Sequence, residues 1–487
     1  MHLQRVQVPD FRVLKDVDIT FEKNFNPRVF PLGSQNGGGK STLLQLIFVL
    51  LHCPTNPERL SALKNLIDGF NLRENENKRV LAKIDIWDGE KSVELEFFVC
   101  GDTYIDEILN FVRNKQDERA PNYFFQTFLE LEDIQQKISE IPSKEITLQN
   151  IIEQIEIRNN EISSSSKFPD RLKTRLLSLD IDIDSIKIDY SDANYLIKIE
   201  QELKLQLSNK HLELRIKERL LSNNIHEFIT DIKSVNIEYI TICSSEAGNH
   251  KNKALLCSIN NKNTNFDEQF LNKLSNKIFL AAPSTQVFLF LNKKAIKSLF
   301  NESNDMNYYQ SELTKMKSDL SGLFTYDFLA TNILIKAFKN ARDKDFKEAL
   351  KTGEYGKNYQ KLLKDLDFLL HDKQVNFMDD FSGLTFKLDR FKDSIELYPE
   401  DLSHGELKRL SIYIWLKYQN IEDAIVLMDE VDLALHPDWQ YQIVSDLLDW
   451  VPSNQYILAT HSYELCNALT PSHVKILEPK LTERRSD

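Results

Sequence analysis

Residues 33–42 read Gly-Ser-Gln-Asn-Gly-Gly-Gly-Lys-Ser-Thr, and this stretch constrains the fold more than any other. The chain has 13 glycines in 487 residues, and four of them lie between positions 33 and 39. Because glycine has no Cβ, such a cluster lets backbone N–H groups approach a ligand closely. A lysine and then an apolar, helix-like segment follow the glycines. The stretch therefore predicts a loop that holds the phosphates of a nucleotide, through Asn36, Gly37, Gly38, Gly39, Lys40, Ser41 and Thr42.

Composition narrows the class of protein. The length suffices for two or three domains with large cores. A net charge of −13 argues against a basic nucleic-acid-binding coat but leaves room for a local basic groove. The five cysteines are scattered without a Cys-x-x-Cys pair, which fits a reducing compartment and argues against a zinc site. The longest apolar run, residues 43–53, is about half of what a membrane span needs, so we expect a cytoplasmic protein.

The segments around the loop predict strands. Residues 28–32 form a short apolar strand that leads into the loop, and a helix begins near residue 41. This strand–loop–helix order is the context that a phosphate loop requires. Residues 6–21 alternate apolar and polar side chains like the edge of a sheet. Residues 80–87 and 92–100 alternate around an Asp-Gly turn and predict a hairpin.

A glycine-free region from about residue 128 to 232 predicts long helices. Apolar residues recur there at steps of three, four or seven. Two amphipathic arms joined through the serines at 163–166 would form an antiparallel, coiled-coil-like hairpin. A helical subdomain packed on the core is the alternative. The positions that define the arms are Ile134, Ile138, Ile141, Leu148, Ile151, Ile155, Ile162, Leu196, Ile199, Leu203, Leu207, Leu214 and Leu221.

Three later segments carry chemistry. Residues 402–406, Leu-Ser-His-Gly-Glu, precede a helix, so Ser403 and Gly405 could offer donors to a phosphate. A plain capping box between Ser403 and Glu406 is the alternative. Residues 424–430, Ala-Ile-Val-Leu-Met-Asp-Glu, read as a buried strand that ends in two carboxylates. There Asp429 would hold Mg²⁺ with Ser41, and Glu430 would act as general base toward the attacking water.

A second buried strand, residues 456–459, runs into Thr-His-Ser. A lone histidine is usually structural. At the end of a core strand about thirty residues after the two acids, however, His461 can contact a terminal phosphate. The ligand side of a parallel sheet is the carboxyl end of its strands, which is where this histidine lies.

Together these motifs resemble the head of ATP-binding cassette ATPases of the chromosome-maintenance and OLD-like branch. The Walker A motif is at 34–42, the signature at 402–406, Walker B at 425–430, the D-loop near 434–438 and the H-loop at His461. The resemblance implies an α/β head, a mixed sheet with a phosphate loop, interrupted by the helical hairpin. It also implies ATP and Mg²⁺ as ligands. Heads of this family pair head to tail, so Ser403 and Gly405 of one copy would close on the ATP held by Lys40 of another.

The chain departs from the family pattern in several places. Ser34 stands where the first Walker A glycine is usual, and the signature has Glu406 for the usual glutamine. The Q-loop glutamine is either Gln126 or Gln286, and the position of the hairpin favours Gln286. Residues 10–15 resemble the opening segment of the branch, which makes Arg12 a secondary candidate near the phosphates. A solvated edge-strand arginine is the alternative for Arg12.

The resemblance divides the chain into five parts. The two ends and a middle piece form the head, and the other parts are helical. The predicted parts are 1–127 (head with Walker A), 128–235 (helical hairpin), 236–300 (head strands with a possible Q-loop), 301–372 (helical subdomain) and 373–487 (head with signature, Walker B, D-loop and H-loop).

Three functions fit such a head. A transporter head would need membrane partners and lacks a hairpin of this size. A chromosome-maintenance or repair ATPase would clamp DNA. An OLD-type defence ATPase would carry a nuclease domain after the H-loop, for which the stretch after His461 is too short.

The remaining pattern resembles the Septu anti-phage ATPase subunit, PtuA, and residues 30–40 look like its retron-associated members. That family works with a separate HNH nuclease, PtuB. Its retron-associated members lie beside a reverse transcriptase and the msDNA that it makes. We therefore expect an oligomeric regulatory ATPase that controls a nuclease in another chain.

Overall fold

The computed structural model describes residues 1–113, 124–158, 195–243, 253–261, 269–298, 306–326, 330–370, 373–378, 383–388 and 395–477. They form two compact units, one of Met1–Cys100 with Asn236–Asp487 and one of Gly101–Val235. The predicted hairpin of residues 128–235 lies within the second unit, which begins at Gly101. In that unit, Arg113 pairs with Asp231 (2.6 Å). The predicted junction at 163–166, together with Ile162, lies outside the described residues.

Strands and helices are interspersed along the first unit. The strands are β1 His2–Phe11, β2 Leu14–Thr20, β3 Val29–Gly33, β4 Lys78–Trp87, β5 Ser92–Cys100, β6 Ile237–Cys243, β7 Lys253–Asn261, β8 Ile278–Ala282, β9 Leu323–Thr325, β10 Lys373–Phe377, β11 Leu384–Leu388, β12 Ile395–Leu397, β13 Ile425–Asp429, β14 Gln455–Ala459 and β15 Lys475–Ile476.

The helices of both units range from five to 39 residues in length. They are α1 Lys40–His52, α2 Leu60–Ile67, α3 Asp102–Val112, α4 Phe124–Ser139, α5 Ile141–Arg158, α6 Tyr195–Lys233, α7 Phe270–Ser275, α8 Lys293–Ser298, α9 Met306–Asp319, α10 Ala330–Thr352, α11 Asn358–Leu370, α12 His404–Tyr418, α13 Pro437–Trp450 and α14 Tyr463–Asn467, with a 3₁₀ segment at Ser284–Phe290. Among the described residues, no helix is long and apolar enough to cross a bilayer.

A six-stranded parallel sheet forms the centre of the first unit, in the order β15-β3-β14-β13-β8-β9. Its inner strands β13 and β14 are buried on both faces, as continuous apolar strands of parallel sheets are. Ile425 and Leu427 share one core with α1, whereas Val426 and Met428 share another with α12. Helices therefore cover both faces of the sheet and place its strand ends at a single edge.

A second six-stranded sheet, wholly antiparallel, has the order β2-β1-β4-β5-β7-β6. Its apolar residues share the core of α1, so that helix is buried between two sheets. The segment 6–21, predicted as one alternating stretch, is a hairpin of two strands. Its turn contains Arg12, whose φ of 52° reverses the chain. A small antiparallel sheet, β10-β11-β12, lies in the later part of the unit.

One strand corrects the predicted helical subdomain at 301–372. Residues Leu323–Thr325 form β9, which pairs in parallel with Leu280–Ala282 at the edge of the central sheet. The preceding Gly322 permits this pairing, because a Cβ there would lie 2.9 Å from the carbonyl oxygen of Ile278. The helical pattern on either side is present as α9, α10 and α11.

The second unit is helical and antiparallel. Phe124, at the start of α4, has its ring 5.7 Å from that of Phe228, near the end of α6. Further along α4, a cavity of about 350 Å³ is bordered by Ile134 on one side and by Leu207 and Leu214 of α6 on the other. The first predicted arm is two helices, α4 and α5, because the helix breaks at Glu140; the second is the single 39-residue α6.

A buried ion pair in the first unit gives a test of stability. Arg409 on α12 binds Asp446 on α13 through two hydrogen bonds of 2.7 and 2.9 Å, and both residues are buried. Removing one partner leaves an uncompensated buried charge, so Arg409→Met should lower the free energy of unfolding by about 3–5 kcal/mol. The four tryptophans all lie in the first unit, so denaturant titration followed by tryptophan fluorescence reports on it.

The exposed pair Arg5–Asp18 provides the matched control. It has the same bidentate geometry, at 2.6 and 2.8 Å, but both side chains are more than two-fifths exposed. Arg5→Met should therefore cost less than about 1 kcal/mol. If Arg5→Met and Arg409→Met lowered the free energy of unfolding equally, burial would not be what makes the Arg409–Asp446 pair important.

Candidate nucleotide site

Three segments that carry motif residues leave the central sheet at the same edge. Asp429 on β13 lies opposite Ala459 on β14, which in turn lies opposite Leu32 on β3. Because these strands are parallel, the phosphate loop, the Asp-Glu pair and the histidine segment all follow carboxyl strand ends at one level. This is the side on which open α/β sheets bind ligands.

The phosphate loop ends at Gly39, which is the N-cap of α1 and makes no side-chain capping bond. Its φ is 92°, and an added Cβ would lie 2.7 Å from Leu14, so only glycine fits there without strain. The helix beyond it therefore presents backbone N–H groups and the positive end of its dipole. Of the other predicted contacts, Asn36 and Gly37 are exposed, Gly38 is buried, and Ser41 and Thr42 are half-buried in the first turn of α1.

Lys40 and His461 lie against each other. The ammonium of Lys40 is 2.8 Å from Nε2 of His461 and 3.1 Å from the hydroxyl oxygen of Ser34. Burial lowers the pKa of Lys40, while the carboxylates of Asp429, Asp432 and Glu430 oppose that shift. The lysine thus fills the place between the loop and the end of β14, where Ser34 and His461 are its hydrogen-bond partners.

Asp429 has the environment of a metal ligand. The residue is 2% exposed, and neither carboxylate oxygen has a hydrogen-bond partner among the described residues. Burial raises its pKa to about 6, opposed by the nearby hydroxyl of Ser41 and the charge of Lys40. A buried carboxylate without partners is costly, and oxygen ligands suit Mg²⁺. Ser41 and Asp429 therefore fit the ion that the sequence predicts, as its protein ligands.

Glu430 follows directly and is half-buried, with a φ of 50°. Its N–H donates to the carbonyl of Ala459 (3.1 Å), which ties the turn to β14. Its own carbonyl accepts from the ammonium of Lys408 on α12 (2.6 Å). The glutamate is thus held at the strand end, one residue beyond the carboxylate that suits a metal.

The signature segment begins α12. Ser403 is the N-cap, and its hydroxyl and N–H both engage Glu406, so the predicted alternative of a capping box is present. Glu406 is in turn paired with Lys373. Packing requires a glycine at position 405, because a Cβ there would lie 2.8 Å from the carbonyl of Ala434 and 3.2 Å from the Trp439 ring. The segment is therefore packed on the D-loop, and none of the hydrogen bonds found for Ser403 reaches residues 33–42.

The two candidate Q-loop glutamines lie in different units. Gln286 follows β8, the neighbour of β13, and accepts from the amide of Gln45 on α1 (2.8 Å). Gln126 lies on α4 and donates to Glu130 within the same helix (3.2 Å). Gln286 therefore belongs to the edge that carries the other motifs.

Arg12 lies in the turn that packs on the loop. The neighbouring side chains of Val13 and Leu14 come close to Gly39. The guanidinium itself donates to the carbonyl of Leu66 at the end of α2 (2.6 Å). The turn thus adjoins the phosphate loop while the charge is bound elsewhere.

Several residues of the site were not foreseen. Lys408 joins α12 to the turn after β13. Asp432, which has a buried oxygen without a partner among the described residues, adds a third carboxylate near Lys40. Gln440 donates to the carbonyls of Asp432 and Leu435 and accepts from Ser462, so it links the segment after Walker B to the residue after His461. An acid two residues after Glu430 was visible in the sequence, whereas the links from Lys408 and Gln440 depend on packing alone.

A comparison with protein families identifies the family of this chain. A family model described as AAA ATPase domain covers residues 1–466 of the chain. The chain belongs to this family of ATPases. The Lys40 loop, the Asp429 strand end and His461 are thus parts of a nucleotide-binding ATPase fold.

Two curated relatives share this chain's ATPase character by name. The retron Ec83 probable ATPase of Escherichia coli is 25% identical over 223 residues, which are 42% of this chain and 41% of the relative. The retron Vc95 probable ATPase of Vibrio cholerae serotype O1 biovar El Tor is 47% identical over 54 residues, 11% of this chain and 10% of the relative. The chain thus spans less than half the length of either relative.

Solved structures of archaeal Smc heads are also similar. The head of Pyrococcus furiosus Smc with an extended coiled coil, bound to the C-terminal domain of ScpA, is 14% identical. The match covers 96% of this chain and 91% of that chain, with a TM-score of 0.29. The head of Pyrococcus yayanosii Smc is 14% identical, covering 96% and 93%, with a TM-score of 0.30. Similarity at this level has no bearing on function.

Proposed function

We propose that this chain is the ATP-hydrolysing regulatory subunit of an anti-phage defence complex, in which ATP-dependent head pairing controls a nuclease supplied by another chain. The observation that carries the ATPase part is the buried, unpartnered carboxylate of Asp429 beside Ser41 and Lys40. The names of the two retron ATPases support the defence part.

Each residue of the site has a role in this proposal. Mg²⁺ held by Ser41 and Asp429 would neutralise phosphate charge. Lys40 leaves His461 and donates to the phosphates, while the N–H groups at the start of α1 bind their oxygens. Released from Lys40, His461 is placed to contact the terminal phosphate. Glu430 accepts a proton from the attacking water.

Pairing of two heads would account for the position of the signature segment. None of the hydrogen bonds found for Ser403 reaches the phosphate loop of the same chain. Ser403 is exposed, and its hydroxyl and N–H serve the capping box of α12. A second copy would bring this helix start, with its dipole and the N–H of Gly405, onto the nucleotide held by Lys40 of the first. The proposed unit is therefore a homodimer or a higher oligomer.

The proposed partners follow from the resemblance to the Septu family and its retron-associated members. They are an HNH-type nuclease subunit that resembles PtuB, and a reverse transcriptase with its msDNA. Contact with DNA belongs to the same proposal, through a partner or through the helical second unit.

Ser403→Arg tests head pairing. The bulky side chain should leave ATP binding by Lys40 intact but block the approach of a second head. Light scattering after gel filtration with ATP should therefore show the wild type as a dimer or larger and Ser403→Arg as a monomer. Ser445→Arg, at an exposed serine on α13, is the matched control and should pair normally. ATP-dependent pairing of Ser403→Arg would contradict the proposal.

The competing function is an ATPase that clamps DNA, favoured by the antiparallel helices of the second unit. It predicts ATP-dependent DNA binding by the purified chain alone. In the regulatory proposal, DNA cleavage appears only when the nuclease chain is added, and it responds to ATP. A gel shift of duplex and single-stranded DNA, run with and without the nuclease, separates the two.

A further inference from the structure

A buried lysine on the signature helix holds the turn that carries Glu430. Lys408 is 8% exposed, and its ammonium donates to the carbonyl of Glu430 (2.6 Å) and to that of Leu433 (3.0 Å). The same ammonium lies 4.2 Å from the centre of the Tyr326 ring. Burial lowers the pKa of Lys408 to about 8, although Asp432, Glu430 and Asp429 favour its charged form. Nothing in the roles assigned above uses this lysine.

The turn to which Lys408 donates has an unusual backbone conformation. Glu430 and Ala434 both have left-handed φ values, 50° and 66°. Each such residue other than glycine costs about 1–3 kcal/mol, so the surroundings must hold it in place. The carbonyl of Glu430 belongs to the peptide plane that fixes its Cα, and therefore the direction of its side chain. The hydrogen bond from Lys408 to that carbonyl thus orients the carboxylate of Glu430.

Lys408 belongs to the same helix as the signature residues. Lys408 lies five positions after Ser403 on α12, and Gly405 of that helix is in close contact with the carbonyl of Ala434. The start of α12 is therefore attached at two points to the segment between Walker B and the D-loop. A displacement of the helix start moves both attachments.

We infer that Lys408 is a positioning residue for ATP hydrolysis, which sets the orientation of Glu430 and connects it to the signature segment of the same chain. The inference rests on the proposed roles of Glu430 and of the signature. Its consequence is that a second copy whose nucleotide binds at Ser403 alters, through α12, the geometry of Glu430 in the first copy. The two ATP sites of a pair are then coupled through this lysine.

Lys408→Met and Lys408→Arg test the inference. Methionine removes the donor, and water from the adjoining cavity of about 230 Å³ can reach the freed carbonyls, so the fold should persist. We expect kcat for ATP to fall on the order of 10- to 100-fold, as misplacement of a catalytic group does, with KM changed less than about twofold. Arginine fits into the same cavity and should restore much of kcat.

Lys417→Met is the matched control. Lys417 lies on the same helix and also donates to a backbone carbonyl, that of Trp450 (2.9 Å), away from the site. Its replacement should leave kcat within about twofold of the wild type. A wild-type kcat for Lys408→Met, or an equal loss in Lys417→Met, would overturn the inference.

A double variant separates this inference from the proposed role of Glu430. If Lys408 acts through Glu430, adding Lys408→Met to Glu430→Gln should cause no further fall in kcat. If Lys408→Met lowered kcat in the Glu430→Gln background as much as it does in the wild type, the positioning role would be overturned. Wild-type hydrolysis by Glu430→Gln alone would instead defeat the proposed catalytic role, which is a distinct outcome.

Discussion

Glu430→Gln should bind ATP as tightly as the wild type and hydrolyse it on the order of 10²- to 10⁴-fold more slowly. That factor is the usual contribution of a positioned general base. Glutamine matches glutamate in size, so the left-handed turn, the bond to Ala459 and the clamp by Lys408 can all remain. The substitution removes only the group that accepts the proton. Because ATP would then persist between paired heads, the variant should accumulate as dimers or larger species.

The measurements are steady-state phosphate release, the Kd of a fluorescent ATP analogue and light scattering with ATP. Glu422→Gln is the control, since Glu422 is an exposed carboxylate just before the opposite end of the same strand, β13. It should match the wild type in all three. Hydrolysis by Glu430→Gln at the wild-type rate would show that another group activates the water.

The arrangement of the candidate site was largely predictable, because its residues follow strands whose character is plain in the sequence. Continuous apolar runs lead into Lys40, Asp429 and His461, and parallel pairing then brings their ends to one edge. The register of the parallel strands also brings Lys40 within 2.8 Å of His461, a contact that the sequence alone does not show. The strand–loop–helix order was therefore visible in the sequence, and the motif order indicated an ATPase.

What the sequence did not give depends on packing between distant segments. Gly405 read as a phosphate donor, yet its lack of a Cβ is also required by Ala434, almost thirty residues further on. Lys408 was not singled out in the sequence, although it lies buried and donates to two carbonyls. The break of the first helical arm at Glu140 was missed because the apolar spacing continues across it, although Pro142 signals it in the sequence.

Lys40→Ala should abolish ATP binding while leaving the fold intact. A lysine that donates two charge-assisted hydrogen bonds to phosphate contributes about 3–6 kcal/mol, or on the order of 10²- to 10⁴-fold in Kd. Its present partners, Ser34 and His461, keep access to water without it. Unfolding should therefore change little, although the pKa of Asp429 should rise further once the nearby positive charge is gone.

Lys475→Ala is the control for that loss of binding. Lys475 lies on β15, paired with Leu32 at the start of the loop region, and its charge is bound to Glu22 (2.6 Å). It should bind the fluorescent ATP analogue with the wild-type Kd. Since Lys40 acts before any pairing, Lys40→Ala should also stay monomeric with ATP, unlike Glu430→Gln. Tight ATP binding by folded Lys40→Ala would mean that the nucleotide is held elsewhere, and both the pairing and the catalytic proposals would then fail together.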